Sequence, residues 1–282
     1  MSPTAPPQNQ KAAQAAPQGP KRQWLDVLRP NQTVSPAAMQ IVIAVQVVVA
    51  LTLWWMSPWA ALPKPNEVFS ALGRLWTQDG LGPELVTSFL MNVEALALTA
   101  AISLGLAYLS VLPAVRPIVE VLAKGRFLGL SGLTFIFTLL VGGGRPLKIS
   151  LLVFGMTVFF VTSMASVVSS IPKSAFDHAR TLHLTEWQAV WDVVVLGTFD
   201  QAIEVFRQNA AIGWMMLTMV EGISRSEGGV GALLLNQNKH FHLAEVFAIQ
   251  ILILAVGLLQ DLAIGFGKRL ICPWAHLTLE RG

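Results

Sequence analysis

Charged residues are scarce in this chain. Asp, Glu, Lys and Arg make up 12% of its 282 residues, whereas 54% of the residues are hydrophobic. A typical soluble domain carries about 25% charged residues. At half that share, too few polar side chains are left to cover a surface that faces water. The composition therefore predicts a protein that lies in lipid, and the mean hydropathy of +0.58 agrees with this.

Cysteine is nearly missing, since Cys272 is the only one. A single cysteine excludes an intramolecular disulfide framework and a metal site built from several thiolates. His240 and His242 lie two residues apart without a further ligand nearby in the sequence, so we interpret them as loop histidines. No nucleophile–base pair points to an enzyme, and no cofactor or metal is expected on this chain.

A phosphate-binding loop is also missing, because the sequence has no G-x-x-x-x-G-K-[ST] segment. That loop holds the phosphates of ATP with backbone N–H groups and a lysine. The glycine runs Gly142–Gly144 and Gly228–Gly231 lack the lysine and follow apolar segments, so they are interpreted as turns. We do not expect the chain to hydrolyse ATP by this route.

What the chain does have is a series of long apolar segments. Each is long enough to cross most or all of a bilayer as a helix. The predicted spans cover about 39–56, 85–112, 127–141, 149–168, 203–222 and 244–266. A further amphipathic helix at 67–76 is too polar to span and is expected to lie on the membrane. The predicted fold class is an all-α membrane protein, a polytopic bundle of about six transmembrane helices.

The two ends of the chain are more polar than its middle. Residues 1–38 are rich in Pro, Gln and Ala and predict a disordered or interfacial cytoplasmic tail. Residues 39–270 form the predicted transmembrane domain, with a polar loop at 169–200, and 271–282 form a C-terminal tail. With the N-terminus inside, inner segments hold twelve Lys and Arg and outer segments hold six. This bias predicts that both termini are cytoplasmic. Basic cytoplasmic loops also explain the net charge of +3, so nucleic acid is not an expected partner.

The polar loop at 169–200 predicts two short helices joined by a turn. The first runs from Lys173 to Leu184, and Pro172 marks its start. The second runs from Glu186 to Val195 with Thr185 as its N-cap. Its predicted apolar face consists of Trp187, Val190, Trp191 and Val194. A short rigid helix that projects from a membrane bundle is suited to docking in a cleft of a cytoplasmic partner.

Several motifs in this order resemble those of one transporter family. Asp177–His178–Ala179, followed by Arg180–Thr181–Leu182, stands where the "EAA" loop of bacterial ABC importer permeases has its first residues, and Trp187–Gln188–Ala189 also matches. Leu62–Val68 resembles the F-P-S-P-x-E-V segment of the nitrate/sulfonate/taurine branch. Glu221 with Gly228–Gly231 resembles its A-E…G-L-G pattern. The likeness covers about residues 60–272.

The resemblance implies a type-I ABC importer permease fold (MetI-like) in a bacterial plasma (inner) membrane, with several spans. It implies ABC ATPase subunits that hold ATP and Mg, a second permease subunit in a homodimer, and an extracytoplasmic substrate-binding protein. The implied cargo is a small anionic nutrient such as nitrate, a sulfonate or a taurine-like molecule. The residues implied in ATPase coupling are Phe176, Asp177, His178, Ala179, Arg180, Leu182 and His183.

Two positions depart from the EAA motif. His183 stands where the motif has Gly, and Gly197 stands where it has Pro. The turn between the two predicted helices therefore lacks the residue that adopts positive φ most easily. His183 can occasionally adopt that conformation, but at some strain.

Five charged side chains in or beside the spans are candidates for the translocation pathway or its gate, since a charge near the bilayer centre costs at least about 2.5–3.5 kcal/mol. These are Glu94, Arg145, Glu204, Arg207 and Glu221. Simpler interpretations stay open for each of them. Glu204 and Arg207 share a helix face with Asp200 and can form an interfacial ion-pair cluster.

For the other three candidates, the alternatives are equally structural. Glu94 can make an interhelical hydrogen bond, and Glu221 can be a solvated helix end. Arg145 and Lys148 can attract an anion or be ordinary loop charges. For the whole chain, the alternative is a secondary transporter subunit or membrane scaffold that ATP does not drive.

Overall fold

The computed structural model describes residues 35–59, 61–224 and 227–276. The predicted N-terminal tail up to residue 34 and the last six residues of the predicted C-terminal tail lie outside the described residues. The described part is helical throughout, without a β-strand, which confirms the predicted all-α class. Its α-helices are α1 Pro36–Trp55, α2 Pro65–Thr77, α3 Leu81–Leu109, α4 Arg116–Lys124, α5 Leu130–Val141, α6 Arg145–Ser169, α7 Lys173–Thr181, α8 Glu186–Ala189, α9 Phe199–Ile223, α10 Val230–Lys239 and α11 Leu243–Ile271.

Contacts divide the chain into two units, residues 1–59 and residues 60–282. In the first unit, α1 is a 20-residue apolar helix that begins at Ser35. The Ser35 hydroxyl accepts a hydrogen bond from the backbone N–H of Ala38 (3.3 Å), which satisfies one of the free donors of the first turn.

The second unit is built around three long helices, α3, α6 and α9, which pack against one another. Where α3 ends and α9 begins, a cluster of buried side chains joins them: Ala107, Phe160, Met164, Ala202 and Val205. Small residues such as Ala107 and Ala202 let the helix backbones approach closely, which is how helices associate in lipid. Helix α11 packs against α9 and α2.

Four helices of the described residues are long and apolar enough to cross a membrane: α1, α3, α6 and α11. A bent pair, Arg116–Phe127 with Leu130–Val141, makes a fifth span if the two parts are counted together. Helix α9 has the length of a span, with 25 residues. It carries Asp200, Glu204, Arg207 and Glu221, however, and is therefore more polar than the other long helices. The protein is therefore a multi-pass membrane protein. Among the predicted spans, the one at 203–222 in α9 has the most charged side chains.

The third predicted span is shorter than expected. Helix α5 begins at Leu130 rather than at residue 127, and its 12 residues extend about 18 Å. The hydrocarbon core of a bilayer is about 30 Å thick. The chain bends by 118° between α5 and the preceding segment. The extended backbone of Leu128 and Gly129 causes this break, because neither residue has helical φ and ψ.

Helix α2 does more than lie on the membrane. Val68, Ala71 and Leu75 are buried, and α2 packs against α11 and α3. Arg74 forms an ion pair with Glu245 of α11 (2.7 Å). The apolar side chains of Phe69 and Trp76 are exposed instead. The amphipathic pattern therefore predicted the helix, but most of its buried side faces protein.

Candidate functional site

The segment between α6 and α9, residues 170–198, is called here the coupling segment. Pro172 precedes α7, as predicted, and α7 ends at Thr181, three residues before the predicted end. The second helix begins at Glu186, and Thr185 caps it: its hydroxyl accepts from Gln188 N, and Gln188 Oε1 accepts from Thr185 N (2.9 Å). The helix continues past α8 as a π-helical turn, Val190–Leu196. Such turns are rare and often mark functional sites.

Most of the residues implied in ATPase coupling lie on the surface. Asp177, His178, Arg180, Leu182 and His183 are exposed, and Phe176 is half-buried. Ala179 is buried and packs α7 onto the rest of the segment. The geometry thus brings these side chains together on one short helix and its turn, with a small residue on the inner side.

Arg180 holds the two helices of the coupling segment together. Its guanidinium lies 3.2 Å from Asp177 of α7 and 3.5 Å from Glu186 of α8. His183, in the turn between them, has a φ of 57°, the left-handed conformation that glycine adopts most easily. The backbone follows the turn that glycine would make, and the histidine tolerates it.

The predicted apolar face of the second helix is divided. Val194 is buried and Val190 is half-buried, whereas Trp187 and Trp191 are 64% and 59% exposed. The two valines of this face are therefore packed against protein, whereas the two indoles stay at the surface.

Charged side chains of α9 and α11 form a chain of ion pairs near the coupling segment. Arg207 lies between Asp261 (3.0 Å) and Glu204 (3.4 Å), and Lys268 donates to Glu204 (3.1 Å). Each of these side chains is between about a fifth and just under half exposed, so water screens the pairs and each contributes little to stability. The cluster links α9 to α11 on the side of the bundle where the coupling segment enters α9.

Glu94 and Arg145 pair with each other. The Arg145 guanidinium at the start of α6 donates to the Glu94 carboxylate of α3. Both side chains are nearly half exposed. Glu94 therefore has an interhelical partner, which was one of the two interpretations that the sequence left open. The pair is still partly exposed to solvent.

A buried polar network lies at the other end of the bundle from the coupling segment. It consists of Glu84, Ser88, Lys148, Glu221 and the loop Gly228–Gly231. The Glu221 carboxylate is fully buried and accepts hydrogen bonds from Ser88 Oγ (2.6 Å) and Gly231 N (2.8 Å). A solvated helix end is therefore excluded for Glu221.

The network holds the start of α10. The Glu84 carboxylate accepts from Gly229 N, and Ser88 Oγ accepts from Val230 N (2.9 Å). Two carboxylates thus meet the free N–H groups of a helix N-terminus, where negative charge is favoured. A Cβ on Gly229 would lie 2.3 Å from the Glu221 carboxylate, and its φ is 108°. Only glycine lets the loop approach this closely.

Lys148 is the cation of this network. Its side chain is fully buried, and its ammonium donates to the carbonyl of Gly228 (2.9 Å). The sequence interpretation of Lys148 as an ordinary loop charge is therefore wrong. The misreading arose because Lys148 follows a glycine-rich turn in sequence, whereas α6 begins at Arg145 and carries it inward.

Glu84 and Ser88 are members of the network that sequence reasoning missed. Their i, i+4 spacing at the start of α3 puts them on one helix face. That signal was present, but a carboxylate and a hydroxyl near a span start resemble ordinary interfacial residues.

The histidines His240 and His242 flank Phe241, whose φ is 56°. Their rings lie 5.9 Å apart, and each Nδ1 is paired with an oxygen, that of Asn236 O or Gln237 Oε1. Within the described ranges, no group of three or more metal-ligating side chains forms.

No protein-family model matches the chain. Among curated proteins, the chain is similar to the taurine transport system permease protein TauC of Escherichia coli (strain K12). The two are 24% identical over 257 residues, which cover 85% of this chain and 92% of the relative. The match covers most of both proteins, so it is not confined to one segment. It confirms the resemblance to importer permeases that the motifs indicate.

Proposed function

We propose that this chain is the transmembrane subunit of an ATP-driven ABC importer in a bacterial inner membrane. Two copies form the pathway, a separate ATPase pair holds ATP and Mg, and an extracytoplasmic binding protein delivers the cargo. Both termini and the coupling segment face the cytoplasm. The similarity to a transport permease over most of the chain supports this assignment.

The observation that carries the proposal is the exposed helix α7 together with the turn that joins it to α8. Its charged edge, Asp177 to Arg180, projects from the bundle, while Ala179 anchors it from behind. A membrane protein gains nothing from such an exposed element unless a partner covers it. The ATPase is the partner that the EAA-like motif implies.

The coupling segment has the connections needed to transmit a push. Arg180 links α7 to α8, and α8 continues through the π-helical turn towards α9. At that junction, Thr198 is buried and its hydroxyl donates to Val194 O (2.6 Å). A displacement of α7 by the ATPase therefore moves the start of α9, where Glu204 and Arg207 lie.

The charged side chains take different roles in this proposal. Glu204 and Arg207 are partly exposed within a long helix, which suits a wet pathway or its inner gate. Arg145 and Glu94 form an open ion pair that can meet a small anion. Glu221 is enclosed by Ser88 and Gly231. It therefore holds the start of α10 in place through its hydrogen bonds and does not contact cargo.

The cargo we propose is a small sulfonate or similar anion. The support is the name of the relative, a taurine transport system permease. Beyond the open pair of Arg145 and Glu94, no side chain is assigned to the cargo.

The test is the double variant Asp177→Ala/Arg180→Ala in the assembled transporter. We expect co-purification of the ATPase and transport into proteoliposomes to fall at least about tenfold, since one docking edge is lost. Each of the two interactions to a charged group is worth roughly 1.5–3 kcal/mol. The matched control, Asp79→Ala/Lys239→Ala, removes the same charges from exposed positions outside the coupling segment and should leave both readouts unchanged.

The same purification separates the alternative. A secondary transporter or scaffold retains no ATP-binding chain, and its transport does not depend on ATP. Normal coupling in the Asp177/Arg180 double variant would contradict the assignment of α7 as the docking helix.

A further inference from the structure

Two neighbouring cavities lie along α3 and α6 on the side covered by α4, and neither belongs to the coupling segment or the buried polar network. The first, of about 750 Å³, lies where α3 and α6 end, against α4. The second, of about 450 Å³, lies further from the ends of these helices, against α4 and α5. Leu106 lines the second cavity, and Ser110, one turn later on α3, lines the first.

One of the two cavities has a partly polar lining and the other a mostly apolar lining. The cavity at the helix ends is lined by serine hydroxyls, Ser110, Ser166 and Ser169, and by Arg116 with Glu120. The deeper cavity is lined mostly by hydrocarbon, including Leu98, Ile102 and Leu106. Polar groups therefore lie at the level where two membrane spans end, and apolar groups lie nearer the bilayer centre.

The dimensions of the deeper cavity match one half of a bilayer. Leu98, Ile102 and Leu106 form a stripe that extends about 12 Å along α3. Half of a hydrocarbon core is about 15 Å thick. The cavity is thus as deep as one acyl chain of a single leaflet, whereas its lining does not suit a small polar anion.

Thr157 adds an observation that points to a ligand. It lines the deeper cavity, is 94% buried, and its hydroxyl has no hydrogen-bond partner within the described part of the chain. Three other threonines, Thr134, Thr138 and Thr162, donate to the carbonyl one turn earlier at 2.7–2.9 Å, whereas the hydroxyl of Thr99 in α3 is also without a partner among the described residues. Thr157 lines this cavity, so its hydroxyl can donate to an acceptor of a ligand that is held there.

The charge and shape of α4 select the headgroup. Helix α4 and the following 3₁₀ turn carry Arg116, Lys124 and Arg126 against Glu120, an excess of two positive charges. Two apolar side chains of α4 face outward, Ile118 and Val121, which are 57% and 68% exposed, whereas Val119 is buried. Such an amphipathic helix lies in the interface with its apolar face in the acyl region, and its basic side chains attract anionic lipid.

We propose that these cavities form a binding site for one anionic phospholipid. The headgroup lies among Ser110, Arg116 and Ser169, an acyl chain follows the Leu98–Leu106 stripe, and the Thr157 hydroxyl lies beside the lipid in the deeper cavity. The site is separate from the proposed pathway, and it does not depend on which cargo is transported.

The experiment is native mass spectrometry of the full chain, purified in mild detergent after reconstitution with phosphatidylglycerol or with phosphatidylethanolamine of the same acyl chains. We expect one phosphatidylglycerol to be retained per chain in preference to phosphatidylethanolamine. Arg116→Gln should lower that preference about fivefold, the effect of one basic side chain near an anionic surface. The control Arg269→Gln removes an exposed arginine at the end of α11 and should not change it.

A second pair of variants tests the cavity itself. Ser166→Trp fills the cavity at the helix ends and should abolish retention, whereas Ser170→Trp, one turn later and outside the lining, should not. Thr157→Val should weaken retention several-fold, and Thr162→Val, whose hydroxyl already has a partner, should not.

A photoactivatable phosphatidylglycerol with a diazirine in its acyl chain completes the test on the unmodified protein. Adducts on α3 and α6 near Leu98 and Val153 support the proposal. Equal retention of the two lipids, equal loss in Arg116→Gln and Arg269→Gln, or adducts spread evenly over the outer surface overturn it. Occupation of the cavities by another protein segment also overturns it, because no adducts then form there.

Discussion

His183 occupies a backbone conformation that suits glycine, and this strain has a measurable size. A non-glycine residue in the left-handed region costs about 1–2 kcal/mol. Glycine recovers that cost but loses about 0.5–1 kcal/mol through its greater freedom in the unfolded chain. We therefore expect His183→Gly to stabilise the coupling segment by about 0.5–1 kcal/mol, measured as slower proteolysis of residues 170–198 and a higher Tm.

The neighbouring residue provides the control for His183. Leu182 has a φ of −84°, so Leu182→Gly gains nothing from positive φ and should destabilise the segment. If both glycine variants change stability in the same direction, the turn conformation is not the cause.

Cys272 lies just beyond α11 and is fully buried. Burial raises the pKa of its thiol, the Asp200 carboxylate raises it further, and Lys268 acts in the opposite direction. Because the thiolate is the reactive form, a raised pKa lowers the reactive fraction at neutral pH. Alkylation in the folded protein should therefore be slow near pH 7.5 and accelerate only as the pH rises above the ordinary range of a thiol.

Asp200→Asn checks the cause of this behaviour. It removes the second contribution, so the pH midpoint of alkylation should move down while the thiol stays buried. A midpoint equal to that of the denatured protein in both forms would contradict the assigned environment of Cys272.

At the scale of elements, the start of α10 depends on glycine and on two carboxylates. Gly229→Ala places a methyl group against Glu221 and forces an unfavourable φ. Overpacking of this kind costs about 1–3 kcal/mol, and backbone strain adds to it. We expect a clear fall in Tm and faster hydrogen exchange of α10.

The comparison for Gly229 is Gly143→Ala, in the other glycine run. A Cβ at Gly143 meets nothing within 4 Å, so the stability should hardly change. Equal losses at the two positions would show that the close approach to Glu221 is not what α10 requires.

Sequence patterns anticipated most elements, and the failures have local causes. Helices α3, α6, α9 and α11 lie where apolar runs predicted them, because continuous hydrocarbon side chains select both lipid and helix. The break at Leu128 and Gly129 was missed, since apolar residues continue through it. The π-helical turn Val190–Leu196 was missed as well, because such a turn has no distinct sequence pattern.

At the scale of the whole molecule, the proposed orientation puts the coupling segment and the α10–α11 turn on opposite sides of the membrane. In a Cys272→Ser background, Ser174→Cys should react with an impermeant maleimide only in inside-out vesicles. Asn238→Cys should react only in right-side-out vesicles or intact cells. Both target side chains are exposed, so access decides the labelling.

Two outcomes of the labelling would be decisive against the proposed topology. The proposed topology has one membrane crossing, α9, between the two cysteines. Labelling of both from the same side would mean that the number of crossings between them is even, which contradicts it. Labelling of Ser174→Cys from outside removes the coupling segment from any cytoplasmic ATPase.

The sequence by itself determined that this protein lies in lipid, that it is helical, and where the exposed helices α7 and α8 lie. These follow from composition and from the order of residues within single segments. Only the tertiary structure decided that Lys148 and Glu221 are buried together, that Arg145 pairs with Glu94, and that Thr157 faces a cavity. Each of these facts depends on two or more helices meeting, and the distance between residues in a chain does not specify which faces of distant helices come into contact.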